Sequence, residues 1–297
     1  MKKLAFTLTL AAAAAVAYAD DEVATAEKGE AKESSILDRV WGFGNYGIYS
    51  GYQLYGSLVN SEPTLQGYAE GNFTLATEEL PLLGSAGIGV WSNTDLTDKR
   101  RYSYGKAFNE WDFNVHWDTT AWFDDDHTWG LAYRTEVVWY YYPHRRHDHM
   151  GRSTATTMDW NHYFELKNPF ITPYFKWVHE YHENKANLWL GGFKKTIELT
   201  DQLSVTPVAE MVYRSKRYNW CFPTAGFSEY HGSGIASFKA GLESNYMITS
   251  NFGLFAKVYW CHTWDHSLRH ASDHSSGADY GKYKDFAWGG VGVTFNF

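Results

Sequence analysis

Two cysteines and seven prolines in 297 residues are few, and each scarcity excludes something. Two thiols, Cys221 and Cys261, cannot build a disulfide scaffold; at most one bridge between them staples one corner. With so little proline, and glycine spread along the chain, no linker separates two halves, so one folded domain is expected. Beyond the N-terminal segment no stretch approaches the roughly 18 apolar residues of a membrane helix. Positive charge is not in excess either. The net charge is −8, and −10 without Lys2 and Lys3, which argues against nucleic acid as a partner and mildly for cations over anions in any pore. No residue set asks for a cofactor or a metal, and none is expected.

What is present begins with Lys2 and Lys3, an apolar run from Leu4 to Val16, and the triplet Ala17-Tyr18-Ala19 before Asp20. That is the order of a cleavable secretory signal, expected to span residues 1–19. No cysteine follows to carry a lipid anchor. Residues 20–40, charged and alanine-rich, are expected to form a flexible periplasmic arm or one short helix ahead of a barrel at 41–297.

Aromatic residues make up 18% of the chain, with 14 Trp and 22 Tyr, yet the mean hydropathy is only −0.45. One arrangement explains both. Rings with a polar handle gather where hydrocarbon meets head groups, and a membrane barrel alternates lipid-facing with lumen-facing residues, so its average reads as soluble. Period-2 segments bounded by turn residues predict about twelve strands, near 44–55, 64–76, 84–94, 107–120, 128–142, 154–166, 170–182, 187–200, 203–215, 232–246, 252–264 and 285–297. In the fourth, Trp111, Phe113, Val115 and Trp117 alternate with Glu110, Asp112, Asn114, His116 and Asp118. Connections after even strands are short; those at 95–106, 143–153, 216–231 and 265–284 are long and polar. An even strand number with both termini on the short-turn side is the plan of a transmembrane antiparallel β-barrel in a bacterial outer membrane. Three residues disagree. Lys195, His162 and His179 share the lipid parity of their strands, and Lys195 is what a soluble secreted β-protein would best explain.

The last strand carries Ala287, Gly289, Val291, Val293, Phe295 and Phe297 on one face. Its ending resembles the C-terminal signature of outer-membrane proteins, which the barrel assembly machinery reads. Tyr49 to Gly67 resembles the start of the TorF-type porins, with Ser50, Tyr52, Gly56, Pro63, Gln66 and Gly67 in matching places and Tyr55 where that family has arginine. Gly89 to Asn93 resembles the family's third-strand motif, one residue shorter. The resemblance implies a twelve-stranded outer-membrane barrel and no established substrate.

Lumen parity selects the acids Glu70, Glu110, Asp112, Asp118, Glu136, Asp159, Glu165, Glu180, Glu198, Glu210 and Glu243, against the bases Arg134, Lys176, Lys194, Arg214, Lys239 and Lys257. If water fills the bore, the excess carboxylates lower the barrier for cations. If instead the charges pair across strands, they close a narrow barrel, since twelve strands leave less room than the 16–18 of open porins. Ten histidines, His144, His147, His149, His179, His182, His231, His262, His266, His270 and His274, fall in or near the presumed outer loops, where solvated polar residues explain them as well as zinc does. His144-Arg145-Arg146-His147 suits lipopolysaccharide phosphates. The pairs His231–Ser233 and His274–Ser276 have the spacing of an outer-membrane lipid hydrolase but are followed by glycine; Asp265-His266 is a fragment of an omptin-like set. The expectation is a non-enzymatic porin-like channel for small hydrophilic solutes or ions, weakly cation-preferring. A closed structural or adhesive barrel and a lipid hydrolase are the alternatives, and the oligomeric state is open.

Overall fold

The computed structural model describes residues 36–55, 57–97, 109–142, 156–182, 185–221, 232–264 and 284–297. A 3-10 turn at Ile36–Arg39, inside the stretch expected to be a flexible arm, leads into β1, Val40–Tyr49. Arg39 fixes this entry by donating to the Thr74 carbonyl at 2.8 Å and lying over the Phe73 ring. A small hairpin follows, β2 (Tyr52–Leu54) and β3 (Ser57–Asn60), and then β4, Thr64–Thr74. The wall continues through β5 (Ser85–Asp95), β6 (Asn109–Trp122), β7 (Gly130–Tyr141), β8 (Thr156–Lys167), β9 (Thr172–Glu180) and β10 (Ala186–Lys194). Past the two-residue β11 (Ile197–Glu198) it ends with β12 (Leu203–Arg214), β13 (Gly234–Met247), β14 (Phe252–Thr263) and β15 (Asp285–Asn296).

Each wall strand pairs antiparallel with its neighbour. β1 pairs with both β4 and β15, and β10 pairs with β12, so β1, β4 to β10 and β12 to β15 close a ring of twelve. Closure leaves no unpaired edge, which is what a strand wall needs in lipid. Two sequence expectations are corrected. The first strand runs 40–49 rather than 44–55, because the chain turns inward after Tyr49; the eighth stops at Lys194, and residues 197–198 fold back onto β12.

Side chains build the short turns. Asp124 accepts from the backbone N–H groups of Trp129 and Thr128, 2.9 Å each, which holds its carboxyl below the usual range. Asn168 caps the next by accepting from Phe170 and Ile171 at 3.0 Å.

The outward face is apolar and zoned. Ile88, Val115, Leu242 and Val258 are exposed at mid-wall; Trp122, Phe123, Trp129 and Phe170 are exposed at the short turns between β6 and β7 and between β8 and β9, and Trp139, Trp260 and Trp264 lie toward the loop ends of β7 and β14. An aliphatic band between aromatic girdles matches a bilayer's hydrocarbon and its two interfaces. The discordant residues keep the predicted register. Lys195 lies past the end of β10, its ammonium on the Pro169 carbonyl at the rim. His162 stacks between Tyr133 and Trp177, with Nδ1 2.7 Å from the Tyr133 hydroxyl. His179 Nδ1 lies 2.9 Å from Asn187 Oδ1. Polar groups that satisfy one another can face hydrocarbon at reduced expense.

Candidate functional site: the bore

Alternation aims one residue in two at the bore, so the ladder registers place its lining. Glu110, Asp112, Asn114, His116 and Asp118 of β6 stand beside Arg134, Glu136, Val138 and Tyr140 of β7. Next come Asp159, Asn161, Tyr163 and Glu165 of β8, then Tyr174, Lys176, Val178 and Glu180 of β9. Glu70 on β4, Lys194 on β10, Glu210 and Arg214 on β12, Lys239 and Glu243 on β13, and Lys257 on β14 share the inner face. Glu198 does not. It sits exposed on β11 at the short-turn rim.

Many of these charges are paired across strands. Arg134 is a hub: its guanidinium reaches Glu70 at 2.8 Å, Glu136 at 3.4 Å and Asp118 at 3.6 Å. Glu136 also meets Lys176 at 3.3 Å, Glu210 meets Lys239 at 3.1 Å, and Glu165 is held by both Lys194 and Lys167. Tyrosine hydroxyls serve several acids. Tyr68 donates to Glu70, Tyr163 to Glu165 at 2.6 Å, Tyr174 to Glu210 at 3.0 Å, Tyr140 to Asp159 at 2.9 Å and Tyr259 to Glu243. His116 lies inside this mesh, Nε2 2.7 Å from Asn72 Oδ1 and Nδ1 2.8 Å from Asn114 Oδ1. A carboxylate taken from water is expensive unless paired and hydrogen-bonded, and the interior supplies both.

The lining is uneven. In the loop-side half, Glu110, Asp112, Asp159 and Glu180 stand on β6, β8 and β9, while Arg214 and Lys239 stand on β12 and β13. Between these walls two apolar patches fill the interior. One joins Val178, Ala186, Leu188, Leu190, Val212, Tyr218 and Ala236; the other joins Tyr49, Phe255, Tyr259, Cys261 and Trp288, where Trp288 stacks on Tyr49 and Tyr259 with centroids 5.3 and 5.5 Å away.

Onto the first patch the β2–β3 hairpin docks. Tyr55, at its tip with φ +47°, packs against that cluster. Arg214 donates to the carbonyls of Tyr55 at 3.0 Å and Leu54 at 3.3 Å, and Ser237 Oγ donates to the Tyr55 carbonyl at 3.1 Å. Arg214 on β12 and Ser237 on β13 lie four and three places from β1 around the ring of twelve, and Val178 of the cluster, on β9, lies six, so the hairpin reaches far into the bore from the β1 wall. Sequence parity found the lining but not the hairpin, which reads as the end of one strand and the start of the next. Lys167 and the interior tyrosines were also passed over, although their parity equals that of Glu165 and Glu70.

Cys261 is a buried free thiol on the inner face of β14; the side chain of Cys221, its possible partner, lies outside the described residues. So do His144, His147, His149, His231, His266, His270 and His274, with Arg145, Arg146, Asp265 and Ser276. Ser233 is exposed just before β13.

No family model matches the chain, and no curated protein matches it in sequence. Among solved structures it is similar to an outer-membrane channel from Pseudomonas putida F1, at 8% identity over 92% of this chain and 100% of that one, with a TM-score of 0.50. It is also similar to the NanC porin, at 10% identity, 85% and 98% coverage and a TM-score of 0.47. A third likeness is to the outer-membrane phospholipase of Salmonella typhi, at 11% identity, 86% and 90% coverage and a TM-score of 0.43. At such identities the likeness is one of fold, and what it shows is a closed antiparallel barrel built like those of the outer membrane.

Proposed function

We propose that the protein is an outer-membrane channel of porin type for small hydrophilic solutes or ions, narrowed in its loop-side half, with a weak preference for cations. The observation that carries this reading is a closed barrel with an apolar outside and an inner face of charged and tyrosine side chains. A wall of that kind separates lipid from a polar bore. The cation preference is carried by the excess of acids over bases on the inner face, with Glu110, Asp112, Asp159 and Glu180 gathered on one side of the narrowed half. In a water-filled bore such an excess of carboxylates lowers the barrier for positive charge.

Residues 1–19 serve as the export signal in this reading, outer-membrane lipid and lipopolysaccharide surround the wall, and the C-terminal strand is presented to the assembly machinery. The resemblance of Tyr49 to Gly67 to TorF-type porins fits the same function. The docked hairpin favours one other reading, a closed barrel that presents its loops.

Reconstitution in a planar bilayer tests this. Discrete conductance steps with a cation-favouring reversal potential in a salt gradient are expected, and the preference should fall in the Asp112→Asn, Asp159→Asn double variant. A protein that stays folded and heat-modifiable yet silent, with and without its first connection, would end the channel reading.

A further inference from the structure

The chain leaves the wall after Tyr49, and the Gly51 carbonyl there accepts from Trp288 Nε1 at 2.8 Å and Thr64 Oγ1 at 3.2 Å. From Gly51 to Tyr55 an extended chain spans roughly 14 Å, at about 3.4 Å per residue. The hairpin's strands pair only with each other and lie in a sheet of their own. Detaching them therefore breaks no ladder bond of the barrel. What ties the tip down is a small set of contacts gathered at β12 and β13, and Arg214 is central to it. Its side chain is 2% exposed, donates to two hairpin carbonyls, and lies over the Tyr218 ring at 5.6 Å. Arg214 faces inward by the regular alternation of β12, and a bulge in the facing β13 completes the seat: Val212 pairs with Ser237 and Tyr213 with Ile235, which leaves Ala236 without a β12 partner and turns Ala236 and Ser237 both inward. Bulges re-aim side chains in this way. The same irregularity thus supplies the second donor, Ser237, and part of the apolar seat for Tyr55.

We propose that Arg214 is a positioning residue that latches the first connection across the bore and so sets the size limit of the solutes that pass. This rests on the channel reading above. A buried guanidinium needs acceptors, and carbonyl oxygens of a movable segment satisfy it only while that segment is docked. Docking of the tip thus centres on this side chain, while Tyr52 holds the hairpin's base against Trp91, with ring centroids 5.6 Å apart. Both bonds come from one nitrogen, Nη2, so lysine, which keeps the charge and three donors but carries a more strongly hydrated ammonium on a differently shaped stem, restores part of the latch.

The test compares the full-length wild type with Arg214→Ala, Arg214→Lys and a chain in which residues 52–60 are replaced by two glycines, a closure that the pairing of Tyr49 with Thr64 allows. Heat-modifiable migration scores folding; single-channel conductance and liposome swelling with uncharged polyethylene glycols of graded size score the pore. Arg214→Ala and the shortened chain are expected to conduct several-fold more and to admit larger glycols, with Arg214→Lys between them and the wild type. A folded Arg214→Ala with the wild-type conductance and size limit overturns the latch. Should Arg214→Ala fail to fold, the shortened chain decides, and a wild-type size limit there overturns it too. Silence of wild type and shortened chain alike, both folded, instead removes the channel reading, and the latch with it.

Discussion

Arg134→Ala is expected to destabilise the folded barrel by about 3–5 kcal/mol, because breaking a buried ion pair from one side leaves the other charge uncompensated. Here one guanidinium faces three carboxylates, Glu70, Asp118 and Glu136, and the Glu70 side chain is 1% exposed. Glu136 keeps Lys176, and Glu70 keeps Tyr68 and the Asn72 amide, so the loss falls hardest on Asp118 and Glu70. Urea unfolding in lipid vesicles measures it. Arg134→Lys should recover part of the loss but not all, since an ammonium cannot reach three carboxylates on β4, β6 and β7 at once. A loss under about 1 kcal/mol for Arg134→Ala would mean that water in the bore already screens these charges, as it does at a surface. The same variant should raise cation preference in a bilayer, because it takes one positive charge from the bore and leaves Asp118 and Glu70 without their guanidinium.

Val115→Arg is expected to cost about 2–4 kcal/mol if mid-wall residues face hydrocarbon, against about 0–1 kcal/mol for Phe123→Arg at the rim. Both side chains are exposed, Val115 at 64% and Phe123 at 63%, so exposure alone predicts no difference. Only the depth of the bilayer distinguishes them, and Lys195, tolerated at the rim, agrees with the shallow end of that scale. Equal effects of the two arginines on vesicle unfolding would show that this wall does not stand in a membrane.

The inner and outer faces were legible because strand alternation is local. Trp111 to Asp118 declares its register within eight residues, and so does Phe252 to Trp260, without reference to any other part of the chain. The signal blurs where a local pattern is shared by two structures. Tyr49 to Asn60 alternates like a wall strand, yet the chain turns inward after Tyr49 and pairs Tyr52–Leu54 with Ser57–Asn60. Lys195 and His162 looked like errors of register for a related reason. Parity gives a side chain's face, but not its height on the wall or the rings it stacks on.

Sequence by itself determined the class of fold, the approximate positions of the twelve strands and which residues turn toward the bore, because each follows from a period of two read within one segment. The tertiary structure alone decided the closing of the ring between β1 and β15, the gathering of Glu70, Asp118 and Glu136 about Arg134, and the seating of Tyr55 beside Arg214, four strands around the wall from its own. Those contacts join residues up to about 250 positions apart, and they form only when curvature and closure bring remote strands and inner faces together.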